Sequence, residues 1–380
     1  MILNEDLLEI RNLARQFAEK ELTREVLEEA DATNTFRKSV LDEMAAIGLT
    51  GIKVPERYGG LDMGNLAFIV ALEEISRKSG TAGVYLSNPN SLGTGPLLIS
   101  GTEEQRQKYI PKLVTLEERM CFALTEPGAG SDAGSSKTKA EKQSDGGYVL
   151  NGRKCFISGA TMADHAVVFA KTDPAAGNKG ISAFLVRMDL PGVSVGAPEH
   201  KMGLLGYPVA DIVLDGVYVP GDCLLGEENK GFINAMKTLD NGRLGVAGMA
   251  LGVAQGCLDE AVKYAKERQQ FGRPIAKFQA VRTIIADMAT TVAAMRELVY
   301  TAAAMKDAES PEAGMYASMA KLFCGEQCNQ IAAKALQIHG GYGFMKDYDI
   351  ERKYRDCRVF TIFEGTSQIQ QMVIAKRVLQ

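Results

Sequence analysis

The chain has 380 residues, 46% of them hydrophobic, enough for one large domain or for two to three smaller ones with a substantial core. A net charge of -4 and a pI near 5.7 leave no surplus of lysine and arginine to neutralise phosphates, which argues against a general nucleic-acid binder. No apolar run reaches the roughly 18 residues that cross a bilayer, the start MILNEDLLEI is too acidic for a signal peptide, and the seven scattered cysteines suit a reducing compartment, so a cytoplasmic protein is expected.

From Asn4 to about Lys112 the pattern is helical. Leu7, Leu8, Ile10, Leu13, Ala14 and Phe17 recur at three- and four-residue spacing with charges between them. Similar segments are expected over 36–48, 66–79 and 103–113, separated by turn-rich stretches such as Val54-Pro55-Glu56-Arg57-Tyr58-Gly59-Gly60. Near Met120 the texture changes. Short runs rich in Val, Ile, Phe and Tyr at 120–125, 147–150, 166–171, 181–187 and 211–219 alternate with clusters such as Ser144-Asp145-Gly146-Gly147, and predict a small antiparallel β domain, a barrel or sandwich. After Val219-Pro220-Gly221-Asp222 the helical period returns over about 229–270, 276–306 and 311–339. Gly248, Gly252 and Gly256, one turn apart, would let two helices approach closely. The resulting division is a helical domain over 1–118, a β domain over 119–222 and a helical bundle over 223–380.

Several places along this path carry residues that chemistry could use. Cys121 to Gly134 leaves a strand and enters a Gly-rich loop, which by itself is most simply a turn. Asp240 and Arg243 stand one turn apart, suited to a ligand or to an ordinary intrahelical pair. Arg268 sits at a break between two helices, where its fork suits a pyrophosphate or simply water. Cys324 and Cys328 are also one turn apart, but His165, His200 and His339 are dispersed, so no metal site is expected. Near the end, Gly340-Gly341 can stop a helix, a short helix is expected from Tyr348 to Arg358, and the apolar Val359-Phe360-Thr361-Ile362-Phe363 should enter the core. Glu364-Gly365-Thr366-Ser367 then forms a turn, with Thr366 or Ser367 capping a terminal helix. A carboxylate is thus carried between a buried segment and a helix start, a position where glutamate is ordinarily solvated.

The run from Gln337 to Gln370, with its GGYG, its RD and its EGTSQIQ, resembles the C-terminal signature of the acyl-CoA dehydrogenase family. TEPGAGSD at 125–132 resembles the family's other signature, RQQFGRPI at 268–275 followed by Phe278-Gln279 resembles its R-x-x-F-G-x-P-I-x-x-F-Q, and Asp240 to Arg243 resembles its D-x-x-R. The resemblance covers essentially the whole chain. It implies a mainly α fold with a central β domain: an N-terminal helical domain, a β-barrel or sandwich, and a four-helix bundle. It also implies a flavoprotein with bound flavin adenine dinucleotide (FAD) that desaturates an acyl-CoA thioester, Glu364 abstracting the α-proton and the flavin taking the β-hydride. The backbone N–H of Glu364 and a flavin ribityl hydroxyl would hold the thioester oxygen.

By the same resemblance, Phe122, Leu124 and Thr125 would contact the flavin, as would Phe156 and Ser158, with Phe156 standing where many members have Trp. Ser131 would touch the pantetheine arm, and Asp240, Arg243 and Gly365 the coenzyme A substrate. Arg268, Phe271, Gln279, Gln337, Gly340 and Gly341 would reach the FAD of a neighbouring subunit, which implies a homotetramer, and Thr366 and Gln368 would complete the cofactor contact. Some members carry the base at the position of Gly242, where glycine cannot serve. Two stretches depart from the family pattern: Ser87-Asn88-Pro89-Asn90-Ser91-Leu92-Gly93 is unusually polar for a fatty-acyl wall, and Met202 to Pro208 has Tyr207-Pro208 where Ser and Thr are usual. Both are expected to shape a pocket for a short, cyclic or aryl-substituted acyl group.

The leading expectation is a dehydrogenase passing electrons to an electron-transferring flavoprotein. Because a base in one direction is an acid in the other, an enoyl- or arylacrylyl-CoA reductase stands beside it. A non-catalytic or nucleic-acid-associated flavoprotein of the same fold is the reading from another class, and the acidic balance speaks against it.

Overall fold

A computed structural model describes all 380 residues, and the chain runs through helices, a curled sheet and helices again. α1 (Glu5–Glu21) begins where the Asn4 side chain accepts from Leu7 N at 3.0 Å, and it buries Ile10, Ala14, Phe17 and Ala18, one stripe of the helical period. There follow α2 (Arg24–Thr33), α3 (Lys38–Ala46), α4 (Gly64–Lys78), α5 (Gly80–Asn90), α6 (Gly95–Ser100) and α7 (Glu103–Val114), the last opened by a reciprocal capping box between Thr102 and Gln105. The sequence pattern does not disclose α2, α5 or α6. In α5 the polar, Gly- and Pro-containing sequence GTAGVYLSNPN has little amphipathic period, because the helix is buried on nearly every side, and only its Ser79 cap, accepting from Ala82 N at 3.2 Å, marks its start.

The sheet comprises β1 (Met120–Ala123), β2 (Lys139–Lys142), β3 (Tyr148–Ser158), β4 (His165–Lys171), β5 (Ile181–Arg187), β6 (Val193–Val195) and β7 (Val209–Val219), all seven strands in one sheet. The sequence pattern predicts an antiparallel sheet, and the sheet is instead mixed. β1 pairs with β4 in parallel, Met120 level with His165, because the β2–β3 hairpin intervenes between them in the chain. β4 and β5 are buried on both faces. Val167 and Phe169 pack with Tyr109, Ile110 and Leu113 of α7, while Ala166, Val168 and Ala170 fill the inside of the curl, which explains the unbroken apolar runs of these two strands.

The last zone holds α8 (Gly231–Glu267), the small hairpin β8 (Gln269–Gln270) and β9 (Arg273–Pro274), α9 (Gln279–Asp307), α10 (Ala313–His339), α11 (Ile350–Cys357) and α12 (Ser367–Val378). α8, with 37 residues, is about 55 Å long and serves as the spine of the molecule. Its glycines face α4: a Cβ on Gly248 would stand 2.9 Å from Ile69 Cδ1, and one on Gly252 2.6 Å from Ser76 Cβ, so the two helices pack backbone against backbone. The Val359–Phe363 segment does not enter the core as a unit. Residues 358–361 wind into a 3-10 turn, which buries Phe360 and Thr361 but leaves Ile362 51% exposed. Cys324 and Cys328 are both buried in the helical core. No helix is long and apolar enough to cross a membrane.

Candidate active site

Glu364 and Gly365 are successive left-handed residues, with φ of 51° and 91°, and they reverse the chain between the 3-10 turn and α12. For glutamate this backbone costs on the order of 1 kcal/mol, so the surroundings must impose it. Thr366 does so from one side, accepting from Ile369 N at 3.4 Å as the cap of α12, and Ser367 Oγ donates to Glu326 Oε1 at 2.6 Å. From the other side Lys321 Nζ donates to the Gly365 carbonyl at 2.6 Å and Gln370 Nε2 to the same oxygen at 3.0 Å. Gln368 is exposed.

This turn lays the carboxylate over α8 at Gly242. A Cβ on residue 242 would stand 2.7 Å from Glu364 Cδ and closer still to Oε2, so only glycine leaves room. The side chain is half-buried, but Oε2 is sealed from solvent and has no hydrogen-bond partner. Burial pushes the carboxyl up to about 7, against the opposing pull of Lys321, Arg243 and Lys53. The same burial lowers Lys53 to about 7 and Lys321 to about 8. Arg243, buried, pairs with Asp240 Oδ1 at 2.5 Å, lies 3.5 Å from Ser318 Oγ, and keeps its Nε unpartnered. Asp240, Arg243, Glu364 and Gly365 are therefore one cluster. A carboxyl that titrates near neutrality can both accept a proton and return it.

α5 and α8 run antiparallel here: a Cβ on Gly83 would meet Met249, and one on Gly245 would lie 2.9 Å from Ser87 Oγ. The polar Ser87–Gly93 stretch thus continues toward the level of Gly242 and Glu364. Met202–Pro208 packs elsewhere, behind α5. Tyr207 meets Tyr85 edge-on with ring centroids 4.6 Å apart, the Tyr85 hydroxyl donates to Gly206 O at 3.1 Å, and Leu204 N donates to the buried Asp356 at 2.5 Å.

On the β domain, Cys155 N donates to Thr125 O at 3.0 Å, which sets Thr125 beside Phe156. Phe156 is 68% exposed on a left-handed backbone with φ of 57°, Phe122 and Ser158 are half-buried, Leu124 is buried, and Ser131 is exposed on the loop. Beneath them, Lys154, fully buried, donates to Leu124 O at 3.1 Å and Glu126 Oε1 at 2.8 Å, while Glu126 also accepts from Lys137 N at 2.5 Å and Thr138 N at 3.0 Å. The sequence reading missed Lys53, Glu126, Lys154, Lys321 and Gln370 as site residues. The available signal was the lysine in the otherwise apolar SMAKLFC of α10.

Arg268, Phe271, Gln279, Gln337, Gly340 and Gly341 gather at the far end of the bundle, where α8 and α10 end and α9 begins. The Arg268 guanidinium lies 5.2 Å over the Tyr342 ring, and Phe271 is 92% exposed. The rise from Gly242 to Arg268 along α8 is about 39 Å, so one chain does not bring this group to the Glu364 cluster. A surface cavity of about 870 Å3 between α7 and the β4–β5 edge belongs to neither group, and in its lining Lys112 pairs with Glu118 at 2.7 Å.

A carboxyl whose Oε2 is sealed without a partner, in the field of Lys321, Arg243 and Lys53, is suited to exchanging a proton. Models of the N-terminal, middle and C-terminal domains of acyl-CoA dehydrogenase match residues 4–117, 121–217 and 229–379, and the chain belongs to the acyl-CoA dehydrogenase family. It is an oxidoreductase acting on the CH–CH bond of acyl-CoA thioesters. It is 56% identical to the caffeyl-CoA reductase-Etf complex subunit CarC of Acetobacterium woodii, over 98% of this chain and 97% of that one. It is 54% identical to a 3-(aryl)acrylate reductase of Clostridium sporogenes, over 98% of each. Among solved structures it superposes on the butyryl-CoA dehydrogenase of Megasphaera elsdenii with a TM-score of 0.96 at 39% identity, over 100% of both chains. Members of the family bind FAD, and an acyl-CoA dehydrogenase of Bacillus anthracis, 33% identical with a TM-score of 0.91 over 99% of this chain and 67% of that one, is complexed with it. The exposed Phe156, turned outward beside Thr125 on a strained backbone, fits a flat aromatic cofactor.

Proposed function

We propose that this chain interconverts an acyl-CoA and its α,β-unsaturated thioester, with Glu364 as the group that exchanges a proton with the α-carbon. The carrying observation is the Glu364 carboxyl itself, sealed over Gly242 without a hydrogen-bond partner and raised to about 7. Asp240, Arg243, Gly365 and Ser131 would bind the coenzyme A thioester, and the backbone N–H of Glu364 would hold its carbonyl oxygen as negative charge develops. Phe122, Leu124, Thr125, Phe156 and Ser158 would hold the flavin, with Thr366 and Gln368 on the base-bearing turn. The flavin, when bound, supplies hydride exchange at the β-carbon. Arg268, Phe271, Gln279, Gln337, Gly340 and Gly341, about 39 Å away along α8, would serve the FAD of a second subunit, as in a homotetramer.

The physiological direction we propose is reduction of an arylacrylyl-CoA, with electrons from an electron-transferring flavoprotein. It is favoured by two relatives above 50% identity whose names specify a caffeyl-CoA reductase-Etf complex and a 3-(aryl)acrylate reductase. The polar Ser87–Gly93 wall, running toward the level of Glu364, accords with an acyl group other than a straight alkyl chain. The test is anaerobic: the reduced holoenzyme is mixed with cinnamoyl-CoA, crotonyl-CoA and octenoyl-CoA, and return of the oxidised flavin band is timed. Fastest reoxidation by the aryl thioester supports the reading. Preference for octenoyl-CoA refutes the substrate class, and no response to any thioester refutes the activity.

A further inference from the structure

We infer that Lys321 is a positioning residue for proton transfer by Glu364, acting through the Gly365 carbonyl rather than by touching the substrate. This rests on Glu364 being the proton-transfer group. Lys321 is 1% exposed on an apolar stretch of α10, next to the buried Ala317, Ala320 and Cys324, where an ammonium is costly unless it does something in return. Its hydrogen bond at 2.6 Å to the Gly365 carbonyl is short and charge-assisted. Gln370 supplies the second donor, at 3.0 Å to the same oxygen and 3.4 Å to the Glu364 carbonyl. Two donors converging on one carbonyl fix the plane of the Gly365–Thr366 peptide, one residue beyond the base, and the longer Gln370 contact reaches the Glu364–Gly365 peptide itself.

That restraint matters because the turn is not one the chain adopts unaided. Glu364 at φ 51° gains by relaxing to negative φ, and relaxation would swing the carboxylate off Gly242. The Thr366 cap and the Ser367 bond hold the turn from the α12 side only. Lys321 ties the strained turn to α10, a helix of 27 residues.

The ammonium also lies within electrostatic reach of the carboxylate. The charged groups around Glu364 are Lys321 from α10, Arg243 from α8 and Lys53 from the loop after α3, and those around Lys321 are Glu364, Arg243 and Glu326. Arg243 is engaged by Asp240, and Lys53 by Asn65 Oδ1 at 3.3 Å and by the Phe68 ring. Removing Lys321 therefore loosens the turn and at the same time removes a cation that favours the ionised carboxylate.

The experiment uses the FAD-loaded enzyme carrying Lys321→Met, Lys321→Arg or Gln370→Leu, with flavin bleaching by saturating 3-phenylpropionyl-CoA followed by anaerobic stopped flow across neutral and alkaline pH. Lys321→Met is expected to slow bleaching by roughly ten- to hundred-fold, with acyl-CoA affinity little changed, and to move the acid limb of the pH profile upward. Lys321→Arg is expected to recover part of the rate by restoring a donor. A Met variant with the wild-type rate and profile overturns the inference. Should it fail to retain flavin, Gln370→Leu decides: slower bleaching at unchanged affinity supports positioning, and an unchanged rate overturns it. Glu364→Gln separates the two levels, because a Gln variant that still bleaches overturns the base assignment itself.

Discussion

The Glu364 carboxylate occupies the space that a side chain on Gly242 would fill, 2.7 Å from its Cδ to the position of the missing Cβ. Two residues 122 positions apart in sequence thus share one volume, and the identity of the first is a condition for the placement of the second.

Gly242→Ala follows directly. In a helix interior alanine is favoured over glycine by roughly 1 kcal/mol. The atoms it would strike here are the far end of a flexible side chain, so the fold should keep its stability while the carboxylate is displaced. We expect thermal stability equal to or above wild type, bound flavin retained, and flavin bleaching slowed at least ten-fold. A variant at full rate would show that the carboxylate does not work from this position.

Glu364→Gln should lower turnover by roughly 10²–10⁴-fold. Its effect on stability has the opposite sign. The folded pKa near 7 lies above the ordinary carboxylate value of 4.5, so the native state holds a proton that the unfolded chain releases, and wild-type stability declines as pH rises from about 4.5 to about 7 and is level above that. Glutamine lacks this decline. Chemical denaturation should find the variant more stable above pH 7, by at most about 3 kcal/mol because the half-buried side chain is partly screened, and comparable at pH 4.5. Parallel wild-type and variant curves would show that Glu364 ionises normally.

Gly252→Ala should destabilise the molecule despite better helix propensity. The added Cβ would meet the Glu73 carbonyl and stand 2.6 Å from Ser76 Cβ, both on the rigid α4. Overpacking of this kind costs about 1–3 kcal/mol, and the melting temperature should fall. No fall would mean that α4 and α8 can separate at this seam.

Lys154→Met should strip the Glu126 carboxylate of its buried partner, at a cost of about 3–5 kcal/mol. It also removes the donor to Leu124 O, so Thr125 and Phe156 lose their common support. We expect weaker flavin retention on gel filtration and a lower unfolding midpoint. Substitution of both residues, Glu126→Gln with Lys154→Met, should recover part of the stability, and failure to do so would locate the damage outside the ion pair.

The long helices were legible because one-sided burial writes a period into the sequence, as in Ile10, Ala14 and Phe17 of α1. α5 was not, because a helix buried on nearly every side has no period to show. The parallel pairing of β1 with β4 was also hidden, since the apolar runs of doubly buried strands reveal burial but not direction.

The sequence by itself determined the family and singled out the loop after Cys121 and Glu364 as candidates, because these reside in short runs whose local spacing is the signal. It could not disclose that Glu364 is sealed over Gly242, nor that Lys321, Arg243 and Lys53 surround it. Burial and charge are sums over neighbours distant in the chain, and the pKa of a carboxyl depends on that sum. Only the tertiary structure, by folding the turn at residue 364 onto α8 and α10, decided that this carboxyl is sealed among cations and not left in solvent.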